Sequence, residues 1–197
     1  MTSFALAIPL LVAGHAGYTH VGRAAGVDVY RQLASPLIDL RAEGEFEAPP
    51  EIVADILLDY ANAGALSPRV VESRVLSADE RHLVVYQRLH LPVISDRDFT
   101  LRVSHGVRGG GRWIRFFADD NRGPGERLGV VRVRLMNGSW DLFATGDGRG
   151  TRGVYRVQLD LGGEIPRWMV SGGAARDLPV MFEAVRRQIR QRPRAAW

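Results

Sequence analysis

The chain has 197 residues, 46% of them hydrophobic, a net charge of +4 carried entirely by arginine on the basic side, and no cysteine. That length suits one domain, and the apolar content supplies a sizeable core, which excludes a disordered chain. Without cysteine there is no disulfide framework and no thiolate metal site, and arginines scattered among acids form no block of one sign for a nucleic acid to follow.

Residues 1–17 stand apart as a possible signal peptide or apolar N-terminal segment. The stretch FALAIPLLVAGHAG is a short apolar run ending in small residues, as in a secretory signal cleaved after Ala16, although no basic side chain precedes it. It falls short of the roughly 20 apolar residues that cross a bilayer. Export would place the protein in the periplasm or outside the cell. The alternative is a buried N-terminal helix of a cytoplasmic protein.

From residue 18 to residue 197 the pattern reads as one domain. GVDVYRQL and PLIDLRAEGEF alternate as strands do. APPEIVADILLDY opens with prolines that cost a first helical turn nothing, and Val53, Ile56, Leu57 and Tyr60 then share one helical face. Seven strand-like runs follow: VVESRVLSA, HLVVYQRLHL, DFTLRVSHGV, RWIRFFAD, GVVRVRLMNG, SWDLFAT and GVYRVQLDL. Breakers at Gly109–Gly111, Asn137-Gly138 and Gly146–Gly148 predict hairpins, and so an antiparallel sheet. DLPVMFEAVRRQIRQ closes the chain as a helix, with Asp177 as its N-cap and Leu178, Met181, Phe182, Val185 and Ile189 as its apolar stripe. The fold class is α+β, a curved antiparallel sheet gripped by a long C-terminal helix.

A strongly curved sheet under a helix can enclose room that its own side chains do not fill. The residues expected to face inward are Val84, Tyr86, Phe99, Leu101, Val103, Trp113, Val131, Val133 and Tyr155, with Leu178, Met181, Phe182 and Val185 from the helix. They make either a solid core or the lining of a pocket for a lipid or sterol-sized molecule. No catalytic constellation emerges. GRGTRG precedes a strand and not a helix, the five histidines lack metal-ligand spacing, and no nucleophile motif is present.

LPVISDRDFTLRV, GPGERLGVVRV, NGSWDLF and DLGGEIPRWMV stand in the order and spacing of the START family, the lipid-transfer domains related to steroidogenic acute regulatory protein. The resemblance runs from about Tyr18 to Arg192 and is closest to bacterial-type members. It implies a helix-grip fold, a hydrophobic tunnel for one lipid or sterol-like ligand, no cofactor, and a role in lipid transfer or sequestration; the protein is expected to be a monomer, and Arg186, Arg187, Arg190, Arg192 and Arg194 are expected to touch an anionic membrane transiently. It places a gate at the loop with Gly123, Pro124 and Gly125 and at Gly172-Gly173 before the last helix. Val84 and Val103 stand where some sterol-binding members place a Glu and an Arg, so apolar contact is expected to hold the ligand. Alternatives of the same superfold are a polyketide cyclase or aromatase and a lipid-sensing module. In Ser95-Asp96-Arg97-Asp98 the arginine is expected to pair locally with its flanking acids and fix the entry to a strand.

Overall fold

The computed structural model describes residues 17–35, 37–146, 148–163, 165 and 173–193. The signal-like segment to Ala16, Gly172 and Arg194 lie outside the described residues. Ten strands form one open sheet: β1 (Tyr18–Ala24), β2 (Val27–Gln32), β3 (Ile38–Phe46), β4 (Val70–Ala78), β5 (His82–Leu89), β6 (Asp96–Arg108), β7 (Gly111–Ala118), β8 (Val130–Arg132), β9 (Leu135–Thr145) and β10 (Gly150–Asp160). Helix α1 (Pro50–Leu58) separates β3 from β4, and α2 (Ala174–Gln191) ends the described chain. The sheet order is β1-β2-β3-β10-β9-β7-β6-β5-β4, so β1 and β4 are its edges. All of these neighbours pair antiparallel; hairpin-length loops explain this for strands consecutive in the chain, while β3–β10 and β7–β9 pair across longer connections.

The structure departs from the sequence reading in four places. Strand β1 pairs with β2 although Tyr18–Ala24 shows no apolar alternation. Asn137-Gly138 is not a turn but lies inside β9, where Gly138 faces Phe116 so closely that a Cβ would stand 2.1 Å from the ring. The break in that run falls instead at Val133-Arg134 and leaves β8 as a short strand, which pairs parallel with the start of β6. Finally, α2 begins at Ala174 behind Gly173, so Asp177 sits in its first turn, where its carboxylate binds Arg69 rather than capping backbone N–H groups.

The core lies between one face of the sheet and the two helices. Val27, Leu40, Ala42, Val85, Leu101, Ile114 and Leu142 come from the sheet; Val53, Ile56, Phe182, Val185 and Ile189 come from the helices. One end of this space is filled by stacked rings. Phe182 of α2 lies parallel to Phe46 at 5.2 Å between centroids and tilts against Trp140 at 5.1 Å, and Trp140 meets Tyr155 at 4.8 Å. Gly44 has to be glycine there, because a Cβ would stand 2.9 Å from the Phe182 ring.

Phe182 has no accessible surface, so its truncation leaves a cavity that its aromatic neighbours cannot close. Phe182→Ala is expected to lower unfolding free energy by about 3–5 kcal/mol in urea titration. A loss below about 1 kcal/mol would show that α2 is not held by this ring stack.

Candidate functional site

Strand alternation decides where the chemistry of Ser95–Asp98 goes. In β6, Arg97, Phe99, Leu101 and Val103 point to the helices, whereas Asp96, Asp98, Thr100 and Arg102 point the other way. Arg97 therefore cannot pair with the acids on either side of it, which corrects the local pairing expected from the sequence. Its guanidinium is 2% exposed and donates to the carbonyls of Ser95, Leu161 and Gly162. Burial lowers its pKa, and no neighbouring charge counters that. The role is structural: one side chain ties the start of β6 to the end of β10.

Asp98 works on the outer face. It is 1% exposed, accepts two hydrogen bonds from Arg132 at 2.7 and 3.1 Å, and accepts a third from the Tyr86 hydroxyl at 3.1 Å. The bond from Asp98 is the main cause of a raised Arg132 pKa; burial and then the Asp98 charge raise that of Tyr86. Arg132 also donates to the carbonyls of Pro124 and Gly125, and Gly123 sits against Thr100, where a Cβ would meet Thr100 Oγ1 at 1.8 Å. The loop after β7, expected as a gate, is thus laid over the outer face of β6 and fastened there by a buried ion pair. Arg127 adds a bond to Glu72 of β4 and lies over the Tyr86 ring. Gly173, the other described residue of the expected gate, precedes the first residue of α2.

Three residues expected inside are on the outer face. Val84 and Tyr86 pair with Arg102 and Thr100, and Trp113 covers Gly106. Val84 and Tyr86 are still buried, but under the loop and arginine side chains and apart from the main core. Phe99, Leu101, Val103, Val133, Tyr155, Leu178, Phe182 and Val185 belong to the core. Met181 is partly buried against it, and Val131 is partly buried beside Gly162 and Gly163. The structure so brings ten of the thirteen expected lining residues to the helix-covered side.

That side also holds groups the sequence reading did not single out. Leu66, Leu83, Leu89, Met136 and Leu159 join Met181 as apolar residues packed against the core yet only partly buried. Tyr60 lies in a short 3-10 turn after α1, packed against the core, and not on α1 itself. Its phenol, like that of Tyr155, is deep enough for burial to push its pKa well up, and Tyr155 is raised further by the nearby charge Tyr60 would carry. An open cleft lies elsewhere. About 1240 Å3 in volume, it lies beside the last turns of α2, with Arg23, Glu43, Glu45, Arg149, Arg152 and Arg190 among its lining residues, so its wall mixes charged and apolar groups.

The arginines of α2 are partly engaged. Arg186 donates to the carbonyls of Glu45 and Ala25 and to Glu183, and Arg187 donates to the carbonyl of Ala65.

Removing one partner of the Asp98–Arg132 pair leaves a buried charge uncompensated. Arg132→Ala is expected to cost about 3–5 kcal/mol of stability, and Tyr86→Phe, which removes one neutral donor, about 0.5–1.5 kcal/mol. Chemical denaturation of the two variants checks the order, and equal losses would mean the outer-face cluster does not centre on Asp98.

The chain was compared with known proteins. No family model matches it. An uncharacterised protein of Pseudomonas aeruginosa is 28% identical over 130 residues, an alignment covering 60% of this chain and 64% of that protein, somewhat less than two thirds of the relative's length. A STAR-related lipid transfer protein from Xanthomonas axonopodis has a crystal structure that superposes with a TM-score of 0.78 at 26% identity, covering 88% of this chain and 99% of that one. Human STARD10 gives 0.76 at 20% identity over 88% of this chain and 74% of its own. An aromatase/cyclase from Streptomyces shares the fold at 0.59 and 18% identity, covering 81% and 98%.

Proposed function

We propose that this chain, which belongs with the bacterial-type STAR-related lipid transfer (START) proteins, holds a single hydrophobic molecule between its bent sheet and α2, for transfer or sequestration. The observation that carries the reading is the state of the inner face. Core residues beneath Phe182 are sealed, but Leu66, Leu89, Met136, Leu159 and Met181 keep accessible surface although they pack against the core. These positions on the helix-covered side are therefore not sealed. The partly covered set supports a hollow beyond the ring stack, walled by α2, β5, β9, β10 and the turn after α1. Its apolar lining favours a lipid or sterol-like guest. The reading involves no chemical step and treats the protein as a carrier.

A carrier has to meet a membrane, and two loop tips favour one end of the sheet for that contact. Leu128 is fully exposed and Val93 is 82% exposed. The parallel pairing of Asp96 with Val130 brings the chain entering β6 and the chain entering β8 to the same end. Val93 is held at φ 65°, a strained conformation for a β-branched residue, in a loop that presents it to solvent. These aliphatic tips suit insertion among acyl chains better than the engaged arginines of α2 suit headgroup contact.

Native mass spectrometry of the purified protein, followed by lipid extraction, tests the cargo. A lipid adduct is expected on the native chain and is expected to be lost in a folded Met181→Arg variant; an adduct that survives that change would place the guest elsewhere. The membrane contact is checked separately with Val93→Asp/Leu128→Asp, expected to slow lipid exchange between vesicles by about tenfold while leaving the adduct intact.

A further inference from the structure

Most polar side chains on the inner face are already engaged. Thr151 donates to the carbonyl of Ala48, Gln87 donates to Ser73, Ser73 donates to the carbonyl of Tyr60, and Arg97 holds its three carbonyls. The Tyr60 and Tyr155 hydroxyls have no hydrogen-bond partner among the described residues. A buried phenol normally finds one. Among the described residues, the unpaired side-chain atoms sealed from any water-sized space are Arg31 Nε, Thr100 Oγ1 and Asp120 Oδ1. Neither phenol oxygen is among these sealed atoms; Tyr60 is partly buried and Tyr155 buried. Tyr155 is 8% exposed and ringed by Trp140 and Phe116.

We infer that Tyr60 and Tyr155 form the polar end of the hollow and seat an uncharged oxygen function of the guest, a hydroxyl or a carbonyl, rather than a carboxylate or phosphate. The inference rests on the ligand-binding reading above and names its substrate class. Each phenol offers one O–H donor and an oxygen that accepts. A carbonyl can take a donor on each lone pair, and a hydroxyl can accept from one phenol while donating to the other. An anion at the same place would need a cation. Arg97, the cation on this face of β6, is engaged by carbonyls at the end of β10, and a charge left among aromatic rings without a partner is strongly disfavoured. Burial keeps both phenols in the neutral form across the physiological range, so neither repels a guest oxygen by charge.

The experiment uses the full chain and 1,6-diphenylhexatriene, a probe with no polar atom, displaced in turn by dodecanol, dodecanoate and dodecane at pH 8. Dodecanol is expected to compete at least tenfold better than dodecanoate. Tyr60→Phe and Tyr155→Phe are each expected to weaken dodecanol by up to about tenfold, as the loss of one net hydrogen bond does, with affinities for diphenylhexatriene and dodecane unchanged. Each variant removes only a hydroxyl, and an unchanged thermal midpoint verifies the fold. Dodecanoate binding as tightly as dodecanol, or a Tyr60→Phe/Tyr155→Phe double variant that binds dodecanol like the native chain, would overturn the assignment and leave the hollow standing. Failure of the native chain to take up diphenylhexatriene at all would remove the hollow, and the phenol site with it.

Discussion

The shape of this protein depends on one buried guanidinium. The start of β6 has no antiparallel partner on the β7 side, because β7 ends at Ala118, opposite Leu101. That edge is taken by β8, whose continuation must cross to lie beside β10 as β9. Arg97 spans this seam by holding carbonyls on both of its sides, from Ser95 before β6 and from Leu161 and Gly162 after β10. A planar fork of donors suits three fixed acceptors better than an ammonium would. Because the acceptors are main-chain atoms, the tie constrains strand paths directly. The tie thus fixes how β6 and β10 approach each other beside α2.

The outer face of the sheet is held by ion pairs and long strand ladders. Here β9–β10 and β3–β10 are paired over long runs, and the outer face is covered by charged groups in contact. Arg132, Asp98 and Tyr86 form one cluster under the loop from Asp119 to Gly129, Arg41 and Glu43 form a second on β3, and Arg115, Arg156 and Asp141 a third on β7, β9 and β10. The exposed members of such pairs contribute little, roughly 0–1 kcal/mol each, whereas Asp98–Arg132 is enclosed and orders the loop above it. The same pair that fastens Pro124 and Gly125 leaves Leu128 free at the tip, so one loop is rigid at its base and open at its end.

How much of this could be read from the sequence follows from the contrast between the two faces of each strand. β6 alternates cleanly, apolar at Phe99, Leu101 and Val103 against Thr100 and Arg102, and its inner residues were legible. In β5 the run Leu83-Val84-Val85-Tyr86 is apolar on both faces, and in β7 Trp113-Ile114 likewise, so parity could not be assigned. The outer set in β5 is apolar because a loop distant in sequence covers it. The local pairing expected of Arg97 failed for the opposite reason: its partners are main-chain atoms, which leave no trace in composition. Asn137-Gly138 misled because glycine marks close approach as often as a turn, here the approach of the Phe116 ring. Tyr60 was legible only as one more apolar position on a helix; that its hydroxyl is left without a partner depends on what the fold places opposite.

The two faces of β6 therefore separate two demands that one core cannot meet together. Close packing gives a unique structure, while an internal guest needs space that the protein does not fill. In this chain uniqueness is assigned to groups with directional requirements, the Arg97 fork and the Asp98–Arg132 pair, which fix strand paths through hydrogen-bond geometry without needing volume filled on the inner side. Aromatic packing is concentrated at the Phe46–Phe182–Trp140 end, where it anchors α2. The first turn of α2 is held by the Arg69–Asp177 contact, a half-exposed ion pair. Such a pair is weak and easily exchanged with water. The helix is consequently anchored along its apolar stripe by Leu178, Phe182, Val185 and Ile189, with a replaceable charge contact added in its first turn.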